Sequence, residues 1–232
     1  IFGEDITKMS AATRERIALL LEGHVQYAFM TIGQIERFYS QFYKKWNHAA
    51  YYELMEKLKV TPDQKLSSMS CGQRSQVALG LILAQNADLL VLDDFSLGLD
   101  PGYRRLFTDY LREYAKAENK TVFMTSHIIQ DMERLVDDCI ILDYGRILVQ
   151  KPVKELMDTF HRYAFTAADC SALESDSRLY STSRIRENCE TFSFETGEAV
   201  RKILEEKAIV YKDLRQEKLS LEDIFIGLTG KY

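Results

Sequence analysis

Residues 88–94, Asp-Leu-Leu-Val-Leu-Asp-Asp, limit most strongly how this chain can fold. The run is apolar without alternation and ends in two carboxylates. Such a run suits a parallel strand buried on both faces, with helices covering both sides of the sheet. Thr121–Thr125 is a second run of this kind and ends in the polar pair Ser126-His127. A third lies in 16–23, where Ile17, Ala18, Leu19, Leu20 and Leu21 precede a polar stop. Helical patterns separate these runs. One covers 74–86; one starts at Pro101 behind Asp100 as cap and reaches about 118; one covers about 128–136. Strands alternating with helices imply an α/β layered domain with a parallel sheet. Residues 138–150 read as a hairpin turning at Tyr144-Gly145.

From Thr31 the pattern is helical. Ile35, Phe38, Tyr39, Phe42, Tyr43 and Trp46 fall on one face of a continuous helix, and a second helix is expected over 49–58. Most simply, the aromatic stripe is the core of a helical subdomain covering about 31–86. After Phe160 the pattern changes. Arg162–Ala167, Glu190–Glu195 and Ala208–Gln216 read as strands, Gly197–Glu206 as a helix, and 220–230 as a helix capped by Ser220. The expected organisation is an α/β domain at 1–158 and a small α+β domain at 159–232.

With 46% hydrophobic and 28% charged residues, the chain can bury a core. A net charge of −5 gives no basic face for nucleic acid, and no nucleic-acid partner is expected. Cys71, Cys139, Cys170 and Cys189 form no CxxC pair and no zinc spacing with the four histidines, which points to a reducing compartment. His24, His48 and His161 read as surface or local packing. No apolar run reaches the ~18 residues of a membrane span. The opening Ile1–Ile6 reads as the end of a hairpin, and the start at Ile1 suggests that the sequence begins inside a domain.

In open α/β sheets, ligands sit beyond the carboxyl ends of the strands. There Asp93 suits a hydrated Mg²⁺, Asp94 can orient an attacking water, and His127 can contact a phosphate oxygen. Taken alone, the two carboxylates read better as a solvated strand end; the constellation as a whole shifts the weight toward a site. Ser70, Cys71, Gly72 and Gln73 open the 74–86 helix with small and polar residues, which suits anion capture.

The motifs in this order resemble the nucleotide-binding domain of ABC transporters over about 1–158. Met69-Ser70-Cys71-Gly72-Gln73 is similar to the signature motif, Leu89–Asp94 to the Walker B strand, Leu97–Asp100 to the D-loop, and Thr125-Ser126-His127 to the switch-histidine motif. The resemblance implies a P-loop NTPase-like layered fold, N-terminally incomplete, with a helical signature subdomain. It implies ATP and Mg²⁺ as ligands. Ser70, Cys71, Gly72 and Gln73 would meet the γ-phosphate of an ATP held by a second protomer, in a homo- or heterodimer. Asp100 would couple the two sites, Asp93 would hold Mg²⁺, and Asp94 and His127 would be catalytic. Glu22 aligns with the Q-loop glutamine as a second metal ligand; Gln26 falls four residues late.

Four departures stand out. No GxxxxGK[ST] occurs in these residues, so the Lys and amide cradle for the phosphates are missing from them. Asp94 stands where the family has Glu, which implies slow hydrolysis. Cys71 replaces the first signature Gly and reads as a small structural residue rather than a reactive thiol. Glu22 brings a charge that would repel phosphates. A sheet shortened at its start would also show unpaired edges and an uncovered apolar face. The C-terminal segment resembles the extension of bacterial drug- and antibiotic-export ATPases. It implies a cytoplasmic subunit, peripheral on the inner membrane face through a separate permease. The exposed edge of the aromatic stripe, with the 23–31 loop, is where the family places that contact. The rival expectation is a non-catalytic half-site that lends its signature and D-loop to a complete partner.

Overall fold

The structure is a computed structural model that describes residues 1–21, 27–96 and 99–230. They gather into two compact units, Ile1–Ile128 and Ile129–Tyr232.

The first unit contains α1 (Ala11–Arg14), β1 (Ile17–Leu20), α2 (Ile32–Ser40), α3 (His48–Lys57), α4 (Cys71–Ala84), β2 (Leu89–Asp93), α5 (Pro101–Ala117) and β3 (Thr121–Thr125). The strands form one parallel sheet in the order β1-β2-β3. Ala18, Leu20, Leu90 and Leu92 are buried on one face. On the other face Leu19 and Phe123 are 54% and 55% exposed, flanking the half-buried Val91 in one row across the sheet. Burial on both faces was expected; among the described residues of this unit, only one face is closed. Helix α4 is buried almost all round from Ser75 to Ala84, packed among α3, α5 and β1. Phe95 and Phe107 stack at 4.6 Å behind the sheet end.

Two expectations fail here. Residues 1–6 form no hairpin strand. Instead the Glu4 carboxylate accepts from Ser10 N at 2.7 Å, Ser10 Oγ at 2.9 Å and Thr13 Oγ1 at 2.7 Å, tying the opening turn to α1. These hydrogen bonds hold its carboxyl below the usual range. The helix expected to carry Ile35 through Trp46 stops at Ser40. The chain turns back so that Trp46 Nε1 at 2.8 Å, His48 Nδ1 at 2.5 Å and Tyr52 OH at 3.4 Å meet the Glu36 carboxylate. Glu36 is 2% exposed, and a buried carboxylate without partners is costly. Of the stripe only Ile35 is a fully buried core residue. Phe42 stands 59% exposed, and His48 packs locally against Glu36, in keeping with its reading from the sequence.

The second unit contains α6 (Ile129–Leu135), β4 (Asp138–Asp143), β5 (Arg146–Pro152), α7 (Val153–Thr159), β6 (His161–Ala167), β7 (Tyr180–Ile185), β8 (Asn188–Ser193), α8 (Gly197–Glu206), β9 (Tyr211–Glu217) and α9 (Leu221–Thr229). β4 and β5 form the expected hairpin, with Tyr144 and Gly145 both at positive φ. The other strands form an antiparallel sheet in the order β7-β8-β6-β9. β7 was not anticipated, because Ser181-Thr182-Ser183-Arg184 lacks an apolar alternation. Tyr163, Phe165, Leu173, Val200, Ile203 and Leu204 form the core beneath α8. Residues 129–158 were grouped by sequence with the first domain; here they pack with the second unit. Leu221 N donates to Glu133 of α6 at 3.1 Å, which joins α6 to the start of α9.

Gly227 lies where a Cβ would sit 2.6 Å from the Phe192 ring and 3.1 Å from Phe160. Gly227→Ala is expected to destabilise this unit by about 1–3 kcal/mol in denaturant melts. Asp176 is buried, and Arg178 holds it through Nε at 2.9 Å and a second nitrogen at 2.8 Å, with Lys207 at 3.7 Å. The Arg178 hydrogen bonds hold the Asp176 carboxyl well below the usual carboxylate range. The resulting stability is present above the ordinary value of about 4 and is lost as pH falls through the depressed native value. Asp176→Asn should therefore lower stability at neutral pH by about 1.5–3 kcal/mol. Urea melts should show that deficit shrinking in strong acid.

Candidate functional site

The parallel register places Asp93 of β2 directly beside Thr125 of β3, at the carboxyl ends of both strands. Thr125 Oγ1 donates to Asp93 Oδ1 at 2.6 Å and accepts from Asp94 N at 3.1 Å. One hydroxyl thus fixes both acidic residues. Asp94 adopts φ +43°, a left-handed conformation that Asp tolerates better than most residues. Its carboxylate meets His127 Nδ1, with both oxygens at 2.7–2.8 Å. Asp94 is partly buried and the His127 side chain is 55% exposed, so the pair sits at a surface mouth. The sequence singled out Asp93, Asp94 and His127, and the fold brings them together. It did not single out Thr125; the available signal was a hydroxyl ending one strand opposite a carboxylate ending its neighbour.

Asp93 is exposed and keeps Oδ2 free of protein partners among the described residues, which suits a hydrated cation. Among the described residues, no group of three or more His, Cys, Asp or Glu is arranged to hold a metal ion. A cation at Asp93 would need further oxygens from water or from a phosphate. Glu22, expected as the second ligand, and Gln26 lie outside the described residues, as do Leu97 and Gly98 of the stretch expected to be a D-loop.

The helix start at Ser70 is a capping box. Ser70 Oγ accepts from Gln73 N at 3.2 Å, and Gln73 Oε1 accepts from Ser70 N at 3.0 Å. Ser70 keeps its hydroxyl proton to donate outward. The N–H groups of Cys71 and Gly72 belong to the first turn, where helices lack internal acceptors. Ser70 and Cys71 are exposed and Gly72 is buried. A Cβ on Gly72 would sit 2.4 Å from Tyr103 Cδ2 and 2.8 Å from Cγ, so Tyr103 requires glycine there. Cys71 is exposed, so a side chain is accommodated at that position.

Tyr103 belongs to the first turn of α5, which Asp100 caps by accepting from Gly102 N at 2.9 Å and Tyr103 N at 3.1 Å. Gln76 of α4 donates through Nε2 to Tyr103 O at 2.9 Å. The Asp100 turn and the Ser70 helix start are therefore one packed assembly. Tyr103 and Gln76 were not anticipated, because nothing in the sequence pairs residues 27 apart. Gly72→Ala should push Tyr103 away and destabilise the first unit by about 1–3 kcal/mol. Amide exchange at 71–76 and 101–104 should rise together, whereas Cys71→Ala should leave both segments unchanged.

No protein-family model matches the chain. It is 25% identical to the uncharacterized ABC transporter ATP-binding protein YhcH of Bacillus subtilis (strain 168), over 100% of this chain and 77% of that protein. It is 31% identical to Nod factor export ATP-binding protein I of Rhizobium meliloti (strain 1021), over 73% of this chain and 51% of that one. Over 38% of this chain it is 38% identical to the energy-coupling factor transporter ATP-binding protein EcfA2 of Staphylococcus aureus (strain MRSA252), covering 31% of that protein. The chain thus spans about three quarters, half and a third of these relatives. Among solved structures, an ATP binding subunit of an ABC transporter superposes with a TM-score of 0.58 at 22% identity, over 68% of each chain. By sequence this chain is related to ABC transporter ATP-binding subunits, and by structure it carries the α/β fold of their ATPase domains.

Proposed function

We propose that this chain is the ATP-binding and ATP-hydrolysing part of an ABC exporter, driven by nucleotide-dependent pairing with a second such protomer. The observation that carries the reading is the junction of β2 and β3, where Asp93, Asp94, Thr125 and His127 converge at the carboxyl ends of adjacent parallel strands. Asp94 is the candidate general base. Its carboxylate is engaged by His127, and a phosphate that takes His127 as donor would free Asp94 to accept a proton from water. Asp93 would hold Mg²⁺ through water, and the bound cation supplies charge neutralisation at the phosphates. Ser70 and the amides of Cys71 and Gly72 would present donors to the γ-phosphate on the partner protomer. Asp100, through its cap of the Tyr103 turn, would report that contact to α4.

A separate permease is the proposed membrane partner, which places the subunit peripherally on the cytoplasmic face. No helix among the described residues is long and apolar enough to cross a membrane. Tyr27, Phe29, Phe38 and Phe42 form a chain of edge-to-face ring contacts on the first unit. Phe29 is 72% and Phe42 59% exposed, a concentration of apolar surface that suits a docking site. Trp46, by contrast, spends its indole N–H on Glu36 and serves the fold. The export direction draws support from the named Nod factor relative and the α+β C-terminal unit.

A second reading keeps its place because these 232 residues hold no GxxxxGK[ST]. The chain would then lend its signature and D-loop residues to a complete partner without hydrolysing ATP itself. Turnover by the whole protein with its partners separates the two. Under the proposal, Asp94→Asn lowers ATP turnover by about 10²-fold or more, and Asp94→Glu raises it. Turnover untouched by both changes but abolished by Ser70→Arg would establish the half-site reading instead.

A further inference from the structure

The second unit contains two thiols that its packing core does not need as thiols. Cys170 follows β6 and Cys189 lies in β8; they are 3% and 2% exposed and belong to one apolar cluster. Both are free and share one packed cluster. The surrounding backbone holds them there. Cys189 is ladder-paired with Phe165 of β6 and with Arg184 of β7. Its Sγ lies 3.8 Å from Ala167 O, while Cys170 Sγ lies 3.9 Å from Ser183 O, one residue before Arg184. The Arg184 guanidinium closes the loop onto Ala168 O. Both side chains therefore point into the gap between the end of β6 and the β7–β8 hairpin. Nothing in the sequence suggested this, since the two cysteines match no short spacing motif.

We propose that Cys170 and Cys189 are an oxidative modification site, a dithiol that closes to a reversible disulfide when the protein meets a low-molecular-weight disulfide oxidant. The thiolate of one cysteine attacks an oxidant sulfur, breaking the oxidant's S–S bond and releasing one small thiol. The thiolate of the other attacks the resulting mixed disulfide and releases the second. Two S–H bonds are replaced by one protein S–S bond. Two electrons pass to the oxidant, and the two protons leave on the two small thiols. The bridge staples the loop 168–179 to β8. In a reducing compartment the pair stays open, and it records exposure to oxidant rather than serving as a standing crosslink. Burial and the neighbouring Cys189 push the Cys170 thiol up to about 12; Asp169 adds to this and Arg184 opposes it. Closure is accordingly slow at neutral pH and accelerates as the medium becomes more alkaline, because the thiolate is the nucleophile.

The test is oxidised glutathione applied to the folded chain at mildly alkaline pH, followed by unfolding, alkylation and mass spectrometry. The expected product is lighter by two hydrogens and takes up two alkyl groups instead of four. A crosslinked peptide joins Cys170 to Cys189, and dithiothreitol reverses the change. Cys71 and Cys139 remain alkylated and act as internal controls. Cys170→Ser, checked for an unchanged melt, should take up three alkyl groups. Amide exchange over 168–189 should slow in the oxidised form. Four alkyl groups at equilibrium, glutathione adducts without a crosslink, or a crosslink through Cys71 or Cys139 would overturn the proposal.

Discussion

Everything at the candidate site depends on the parallel register of β2 and β3. It sets Asp93 opposite Thr125 and lets one hydroxyl serve both Asp93 and the amide of Asp94. A shift of one residue would turn every side chain of β3 to the opposite face and separate these groups. The buried Leu90 and Leu92 hold the register by requiring the apolar face inward. The same packing that builds the core therefore delivers two carboxylates and an imidazole to one mouth. The left-handed turn at Asp94 follows, because the chain must leave the strand while the carboxylate stays near His127.

Helix α4 links that sheet to the second cluster of candidate residues. Its middle is buried on all sides while Ser70 and Cys71 at its start are exposed, so that start is held rigidly yet open to a ligand. Close approach requires glycine at one position in it and favours glycine at another. A Cβ at Gly72 would collide with Tyr103, and one at Gly80 would sit 3.0 Å from the Tyr51 ring. Through Tyr103 the helix start shares a packed contact with the turn that Asp100 caps. Two short motifs separated in sequence thus behave mechanically as one part, which is what a site shared between protomers would need.

The helical region shows how a buried charge can override periodicity. On spacing alone, Ile35 through Trp46 form one amphipathic helix. Glu36 lies inside that pattern, and its carboxylate is buried. Meeting its hydrogen-bonding needs takes Trp46, His48 and Tyr52, which a continuous helix would carry away from it. The chain stops at Ser40, turns and returns. The aromatic residues released from the helix face become a partly exposed ring cluster rather than core.

The sequence by itself determined the strand–helix alternation, the caps at Asp100 and Ser220, the Tyr144-Gly145 hairpin, and the polar ends of the two strands. Each rests on local chemistry: apolar periodicity, side chains that satisfy first-turn amides, and glycine at positive φ. Asp93, Asp94 and His127 were legible for the same reason, as polar groups ending apolar runs. Only the tertiary structure decided what depends on distant residues meeting. It showed Thr125 bridging Asp93 and Asp94, Tyr103 dictating glycine at 72, the Glu36 knot ending a helix early, β7 pairing despite a polar sequence, and Cys170 and Cys189 sharing one packed cluster. Residues far apart in the chain carry no mutual signal until packing fixes their separation, and hydrogen bonds across such contacts respond to distance rather than to sequence order.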